Sequence, residues 1–319
     1  MRTEFEFINN IRSKYSLTKI GDDCAILPFN NEADMLVTAD MLVENVDFRL
    51  EWTTPEFLGH KILAVSLSDI AAMGGIPRHA LLSIGIPAGL WKTDFLDRLY
   101  AGWHSLAEPF SVELVGGDVS KTEGPLVFDS TVIGEAPRGK AVTRAGAKPG
   151  DSVFVSGFLG GAAAGLLSLE SGLRFDESLD VPHKHLLFRQ LQPLPQTRTA
   201  ILLQTQQLPS TMIDISDGLS SDLMHLIRAS GVGCRLNGQS IPVDPAIWTL
   251  NLGDEKNLDL ALNGGEDFEL LFTVVPANFA AAQDLGFHHI GDITTKQGII
   301  ELDVDGAVSI LQPKGFRHF

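Results

Sequence analysis

Cysteine is scarce in this chain and long apolar runs are missing, and each absence excludes a class of protein. The two cysteines, Cys24 and Cys234, are too few for a disulfide framework and have no metal-ligand spacing. No stretch approaches the roughly 20 apolar residues that span a bilayer, so no membrane partner is expected. The N-terminal stretch carries acids and no continuous apolar segment, which argues against a signal peptide and for the cytoplasm. Positive charge is short as well: 24 lysines and arginines stand against 40 aspartates and glutamates, a net charge of −16. So acidic a chain binds phosphate backbones poorly, and nucleic acid is not an expected partner.

Familiar catalytic signatures are missing too. No G-x-x-x-x-G-K-[ST] occurs, which excludes a P-loop. Ser156-Gly157-Phe158-Leu159-Gly160-Gly161 follows a strand and opens a helix, but its glycine spacing does not fit G-x-G-x-x-G, and a structural turn is the better reading. Ser216 lacks the G-x-S-x-G elbow of a serine hydrolase. The nine histidines show no zinc-binding helical spacing and read as structural or exposed.

What is present is an alternation of strands and helices. At 319 residues the chain has room for two domains of roughly 150 residues each. Phe5, Ile8, Ile11 and Tyr15 form a helical stripe over 4–15. A long helix should start after Thr54, with Pro55 at its first position, and stop at Gly74-Gly75. Further helices are expected at 93–110, after Gly161, and at 219–230 and 277–285. Strands are expected at 24–27, 35–38, 79–86, 126–134, 152–156, 212–215 and 269–275. The Pro- and Gly-rich stretch 135–150 is the candidate boundary, giving domains 1–138 and 139–319. The class is α/β or α+β, with strand order left open.

Aspartates recur beside glycines or near strand ends: Asp22-Asp23, Asp40, Asp69, Asp118, Asp214, Asp217 and Glu266-Asp267. Glycine beside a carboxylate lets a ligand approach the backbone closely. If several converge, each pair about 4 Å apart repels by about 4 kcal/mol at an effective dielectric near 20. A hard, oxygen-loving cation offsets that, since no Cys or His cluster accompanies the acids; magnesium with a nucleotide is the usual case. Any single Asp-Gly pair is more often a turn than a metal ligand, so only the set carries weight. Asp69 is different because it lies inside the apolar run 62–73, where a carboxylate is costly unless it has a partner.

Taken in order, the motifs resemble thiamine-monophosphate kinase, in the superfamily of aminoimidazole-ribonucleotide synthetase and selenophosphate synthetase. They are I-G-D-D-C-A at 20–25, T-A-D-M-L-V-E at 38–44, V-S-L-S-D-I-A-A-M-G at 65–74 and V-G-G-D at 115–118. T-R-A-G-A-K-P-G-D at 143–151, I-D-I-S-D-G-L at 213–219, N-G-G-E-D-F-E at 263–269 and G-F-R-H-F at 315–319 complete the set. The resemblance implies a two-domain, mixed α/β fold of the aminoimidazole-ribonucleotide-synthetase type, a homodimer joined through its N-terminal domains. It also implies ATP, several magnesium ions and thiamine monophosphate as acceptor. Asp23, Thr38, Asp40, Asp69, Asp118, Asp214 and Asp217 would then be magnesium ligands. Gly117, Asp118, Arg144 and Ser216 would touch ATP, and Asp47, Glu266 and Phe316 the thiamine substrate. Arg144 suits a phosphate clamp, against the alternative of an exposed linker arginine. Asp47, Ala39 and Pro313 depart from the family pattern, where histidine, threonine and an aromatic are respectively frequent. The rival readings are another ATP-dependent enzyme of the superfamily and a non-catalytic scaffold that keeps the fold.

Overall fold

A computed structural model describes residues 4–315. The N-terminal half comprises α1 (Glu4–Tyr15), β1 (Ala25–Pro28), β2 (Ala33–Val43), α2 (Pro55–Ala72), β3 (Ile76–Pro87), α3 (Ala88–Trp91), α4 (Phe95–Phe110), β4 (Glu113–Thr122) and β5 (Val127–Pro137). The C-terminal half comprises β6 (Ser152–Val155), α5 (Gly161–Glu170), α6 (Val181–Leu191), α7 (Thr197–Thr205), β7 (Pro209–Asp214), α8 (Leu219–Ser230) and β8 (Gly233–Asn237). It continues with α9 (Asp254–Asn263), β9 (Leu270–Val274), α10 (Phe279–Asp284), β10 (His288–Thr294), β11 (Ile300–Val304) and β12 (Ala307–Ile310).

Each half is built on one sheet. The first runs β1-β2-β5-β3-β4 and the second β12-β11-β8-β10-β6-β9-β7. Pairing is antiparallel except for β3 with β4 and β11 with β8. The class therefore resolves toward mixed α+β sheets. β4 forms an edge of the first sheet with nearly every residue exposed.

Helix α2 joins the halves. Thr54 caps it, accepting from the Phe57 amide at 3.2 Å, and Pro55 fills its first position, as the sequence implies. It is apolar nearly all round, the pattern of a helix buried on all sides. Leu58, Ile62 and Leu67 pack into the core of the first sheet with Trp103 and Phe128, while Ala71 belongs to the cluster around Phe154 and Phe272 of the second. The closest approach is to α4. A Cβ on Gly59 would lie 1.9 Å from the Leu99 carbonyl oxygen, and one on Gly102 would lie 1.9 Å from that of Glu56. Even a methyl group forces these helices apart. Gly102→Ala is expected to lower stability by about 1–3 kcal/mol, the cost of overpacking, in a urea titration. An unchanged midpoint would show that the helices yield freely.

The helix expected over 93–110 forms as α4 from Phe95 to Phe110; a short helix not expected from the sequence, α3, precedes it and ends at Trp91, before the 3.1 Å turn bond from Thr93 to Leu90. The segment expected to be helical over 277–285 opens with a 3-10 turn at Pro276–Asn278 before α10. The strand expected at 35–38 extends to Val43, so Asp40 sits within a strand and not at its end. The stretch after Ser156 is the structural turn expected: Gly160 has φ +83° and its amide donates to Asp267 at 2.6 Å.

Candidate functional site

Three carboxylates from distant parts of the sequence converge between the sheets. Asp23 precedes β1, Asp69 lies in the last turn of α2, and Asp214 ends β7. Each offers an oxygen within 4.8 Å of the others. Asp214 is 1% exposed and the Asp23 side chain 2%. Strand alternation puts Thr38 and Asp40 on the same face of β2, where Thr38 donates its hydroxyl to Asp69 and Ser66 donates to Asp40 at 2.7 Å. Ser68 donates to Asp214 at 2.6 Å, so α2 hydrogen-bonds to acids of both halves.

Crowding of like charge appears in the proton affinities. Burial, then the charges of Asp40, Asp214 and Asp23, holds Asp69 well above the usual carboxylate range. Burial, reinforced by Asp23, raises Asp214 to about 7. Burial raises Asp40 to about 6, with Asp129 and Asp23 adding to it against the Ser66 hydrogen bond. Asp22 is also raised to about 6, chiefly by burial and then by Asp23, against the lowering effect of Arg144.

Arg144 is no free linker residue. Its side chain is 19% exposed, and its Nε lies 3.3 Å from Asp23 Oδ2. Its amide lies 3.3 Å from both Asp22 oxygens. Burial opposes its charge, but Asp23 and Asp22 outweigh that and raise its pKa. An all-oxygen donor set with raised proton affinities fits a hard divalent cation, since a cation supplies the charge the buried acids lack.

Beside the triad opens a cleft of about 680 Å³. Asp40 lines it, as do Asp47, Ser216, Asp217 and Glu266. Asp47 accepts from the Val43 amide at 2.7 Å. The Asp217 amide donates to the buried Asp222 at 3.2 Å. Gly117 and Asp118 lie apart, on exposed β4, where Asp118 accepts from Ser120 at 3.2 Å. A Cβ on Gly117 would meet the Leu82 carbonyl oxygen at 1.9 Å, so this position requires glycine. Phe316 lies outside the described residues.

Some functional partners escaped sequence reasoning. Lys61 on α2 is 4% exposed and pairs with Glu266. Gln190 also donates to Glu266. The cost of an unpaired charge in an apolar helix, which singled out Asp69, applies to Lys61 as well. Ser66 and Ser68 gave no signal, since serine in a helix is common. Asp267 and Glu269 turn inward: Asp267 accepts from the Gly160 amide, and Glu269 meets Arg189 at 3.0 Å.

Comparison with known proteins bears on the fold and the family. A family model described as AIR synthase related protein, N-terminal domain, matches residues 21–136. The thiamine-monophosphate kinase of Escherichia coli K12 is 37% identical over 309 residues, 94% of this chain and 91% of its own. That of Bacillus subtilis 168 is also 37% identical, over 94% of this chain and 93% of its own. The chain belongs to the thiamine-monophosphate kinase family. A solved structure of that family, AaThiL complexed with AMPPCP and TMP, superimposes with a TM-score of 0.88 at 33% identity, covering 99% of this chain and 97% of its own. Among the described residues no helix is long and apolar enough to cross a membrane.

Proposed function

We propose that this chain transfers the γ-phosphoryl group of ATP to the phosphate of thiamine monophosphate, giving thiamine diphosphate and ADP. The observation that carries this reading is the oxygen-only triad Asp23, Asp69 and Asp214 beside a cleft large enough for a phosphorylated acceptor. An acceptor phosphate oxygen attacks the γ-phosphorus in line, and the bond to the β-phosphate oxygen breaks. That oxygen is already ionised at neutral pH, so no side chain need act as base and no phosphoenzyme forms. Positioning and charge neutralisation are what remain for the protein to supply.

The triad, with Thr38, Asp40 and Asp217, would hold magnesium, which would supply positive charge to the transferring phosphoryl group, while Asp118 stands apart on β4 and does not join them within this chain. Arg144 clamps phosphate oxygens, a role for which its guanidinium already stands over the acids. Ser216 contacts the nucleotide, and Asp47, Glu266 and Phe316 the thiamine; Gly117 and Asp118, apart on β4, are not brought to this cleft within the chain. A homodimer fits the exposed edge β4, where Val115 and Val119 stand open to solvent beside Asp118. The cytoplasm, where ATP is plentiful, suits the reaction.

Cys24 argues against the selenophosphate-type alternative. Burial, with the charges of Asp69 and Asp23, pushes its thiol well above the usual range, the reverse of a reactive thiolate.

The test is ADP release from ATP and Mg²⁺ with thiamine monophosphate, with free thiamine and no acceptor as controls. Thiamine diphosphate stoichiometric with ADP, and only from the monophosphate, is the expected result. Nucleotide binding without thiamine diphosphate overturns the acceptor and favours a different ATP-dependent reaction.

A further inference from the structure

The reaction as derived gives no task to Lys61, a buried cation at the wall of the cleft. Lys61 Nζ lies 2.9 Å from Glu266 Oε2 and 2.8 Å from Oε1, and it donates to the Gln190 carbonyl at 3.3 Å. Three acceptors meet three donors, so the ammonium is fully satisfied. Its partner is held as firmly. Glu266 has φ +64°, a left-handed conformation that a non-glycine residue keeps only when its surroundings impose it. Its amide donates to the Ser216 carbonyl at 2.7 Å, and its carboxylate takes Lys61 and Gln190.

The surroundings make the charge of this pair matter. Asp40, Asp47, Asp217 and Glu170 line the same cleft. A phosphorylated acceptor carries net negative charge into that wall, whereas the unphosphorylated alcohol carries only the positive ring. An uncompensated Glu266 would favour the wrong one.

We propose that Lys61 is a positioning residue that sets acceptor specificity: it cancels the charge of Glu266 and fixes its carboxylate, so that the cleft admits thiamine monophosphate over thiamine. This rests on the functional reading above. A merely structural role for Lys61, as a staple between α2 and the 264–268 loop, predicts something different. Its loss would then weaken every ligand of the cleft alike.

The experiment measures binding of thiamine monophosphate and of thiamine by calorimetry, alongside turnover, in wild type, Lys61→Met, Lys61→Arg and the double variant Lys61→Met with Glu266→Gln. Lys61→Met is expected to weaken the monophosphate by about tenfold or more, because it leaves a carboxylate without its partner in a partly desolvated site. Thiamine should bind as well as before or better. Lys61→Arg keeps the charge and should restore the preference. The double variant, neutral again, should recover most of the preference too. Parallel weakening of both ligands overturns the proposal in favour of the staple, and so does an unchanged preference in Lys61→Met. A wild-type protein with no preference for the monophosphate also overturns it. Wild type that prefers the monophosphate but forms no thiamine diphosphate overturns the functional reading alone.

Discussion

Asp69→Asn is expected to cut turnover by more than about 100-fold, the upper range for losing a mere supporting contact around a metal, while the protein stays folded. Asp69 is central to the triad. It lies within reach of Asp23 and Asp214, and Thr38 donates to it. Asparagine keeps the shape and one acceptor oxygen but removes the charge. Without magnesium the substitution therefore costs little, because burial and the charges of Asp40, Asp214 and Asp23 oppose ionisation of Asp69 and favour the neutral form that asparagine mimics. Thermal unfolding of the metal-free variant should match or exceed wild type. Addition of magnesium should stabilise wild type strongly and the variant little, since a ligand stabilises only in proportion to its occupancy of the folded state. The pairing of lost activity with undiminished metal-free stability is the signature of a metal ligand. A variant that unfolds at lower temperature without magnesium would instead make Asp69 a structural carboxylate. One that keeps wild-type turnover would remove it from the site.

The elements that could be read from the sequence are those with explicit punctuation. Thr54 and Pro55 open α2 and Gly74 follows its end; Gly231, with φ +69°, closes α8. β4 carries no such pattern. It is an exposed edge, so Gly116-Gly117-Asp118 lacks the alternation that a half-buried strand imposes. The short strands β8 and β10 to β12 give windows too brief for a period to emerge, and β12 is exposed throughout. α6 mixes two histidines, a lysine and an arginine among its leucines, and only its packing against α5 defines its inner face.

The site divides in the same way. Carboxylate identity and glycine context marked the acids, but convergence depends on register and on how α2 sits against both sheets, which local sequence does not state. Glu266 and Asp267 are adjacent in N-G-G-E-D-F-E, yet Glu266 opens to the cleft while Asp267 is buried against the Gly160 turn. The left-handed backbone at Glu266 and again at Phe268 makes that difference. Lys61 and Gln190 stand far from Glu266 in sequence, and only the packing of α2 against α6 brings them to it.

The acidity of the cluster gives the second large effect, a stability that depends on pH in opposite ways with and without metal. Asp22 and Asp40 are raised to about 6 and Asp214 to about 7, from an ordinary 3.8, and burial and the neighbouring acids raise Asp69 well above that ordinary value too. A carboxyl with a raised folded pKa holds its proton in the folded state where the unfolded chain has released it. Its contribution is therefore full below about pH 4 and is lost as pH rises through 6 to 7. Two histidines act in the other direction: burial lowers His60, and burial with Arg144 and Arg228 lowers His225 to about 4, so acid favours their unfolded forms. Comparing protein with and without magnesium at each pH cancels the histidines and isolates the acids. Magnesium competes with protons for these oxygens. Its stabilising effect on the melting temperature should be small at pH 5.5, where much of the cluster is protonated, and large at pH 7.5. In Asp69→Asn the same pH dependence should be flattened, because one of the competing protons is gone. A magnesium effect that is equal at both pH values in wild type would place the bound metal away from Asp23, Asp69 and Asp214.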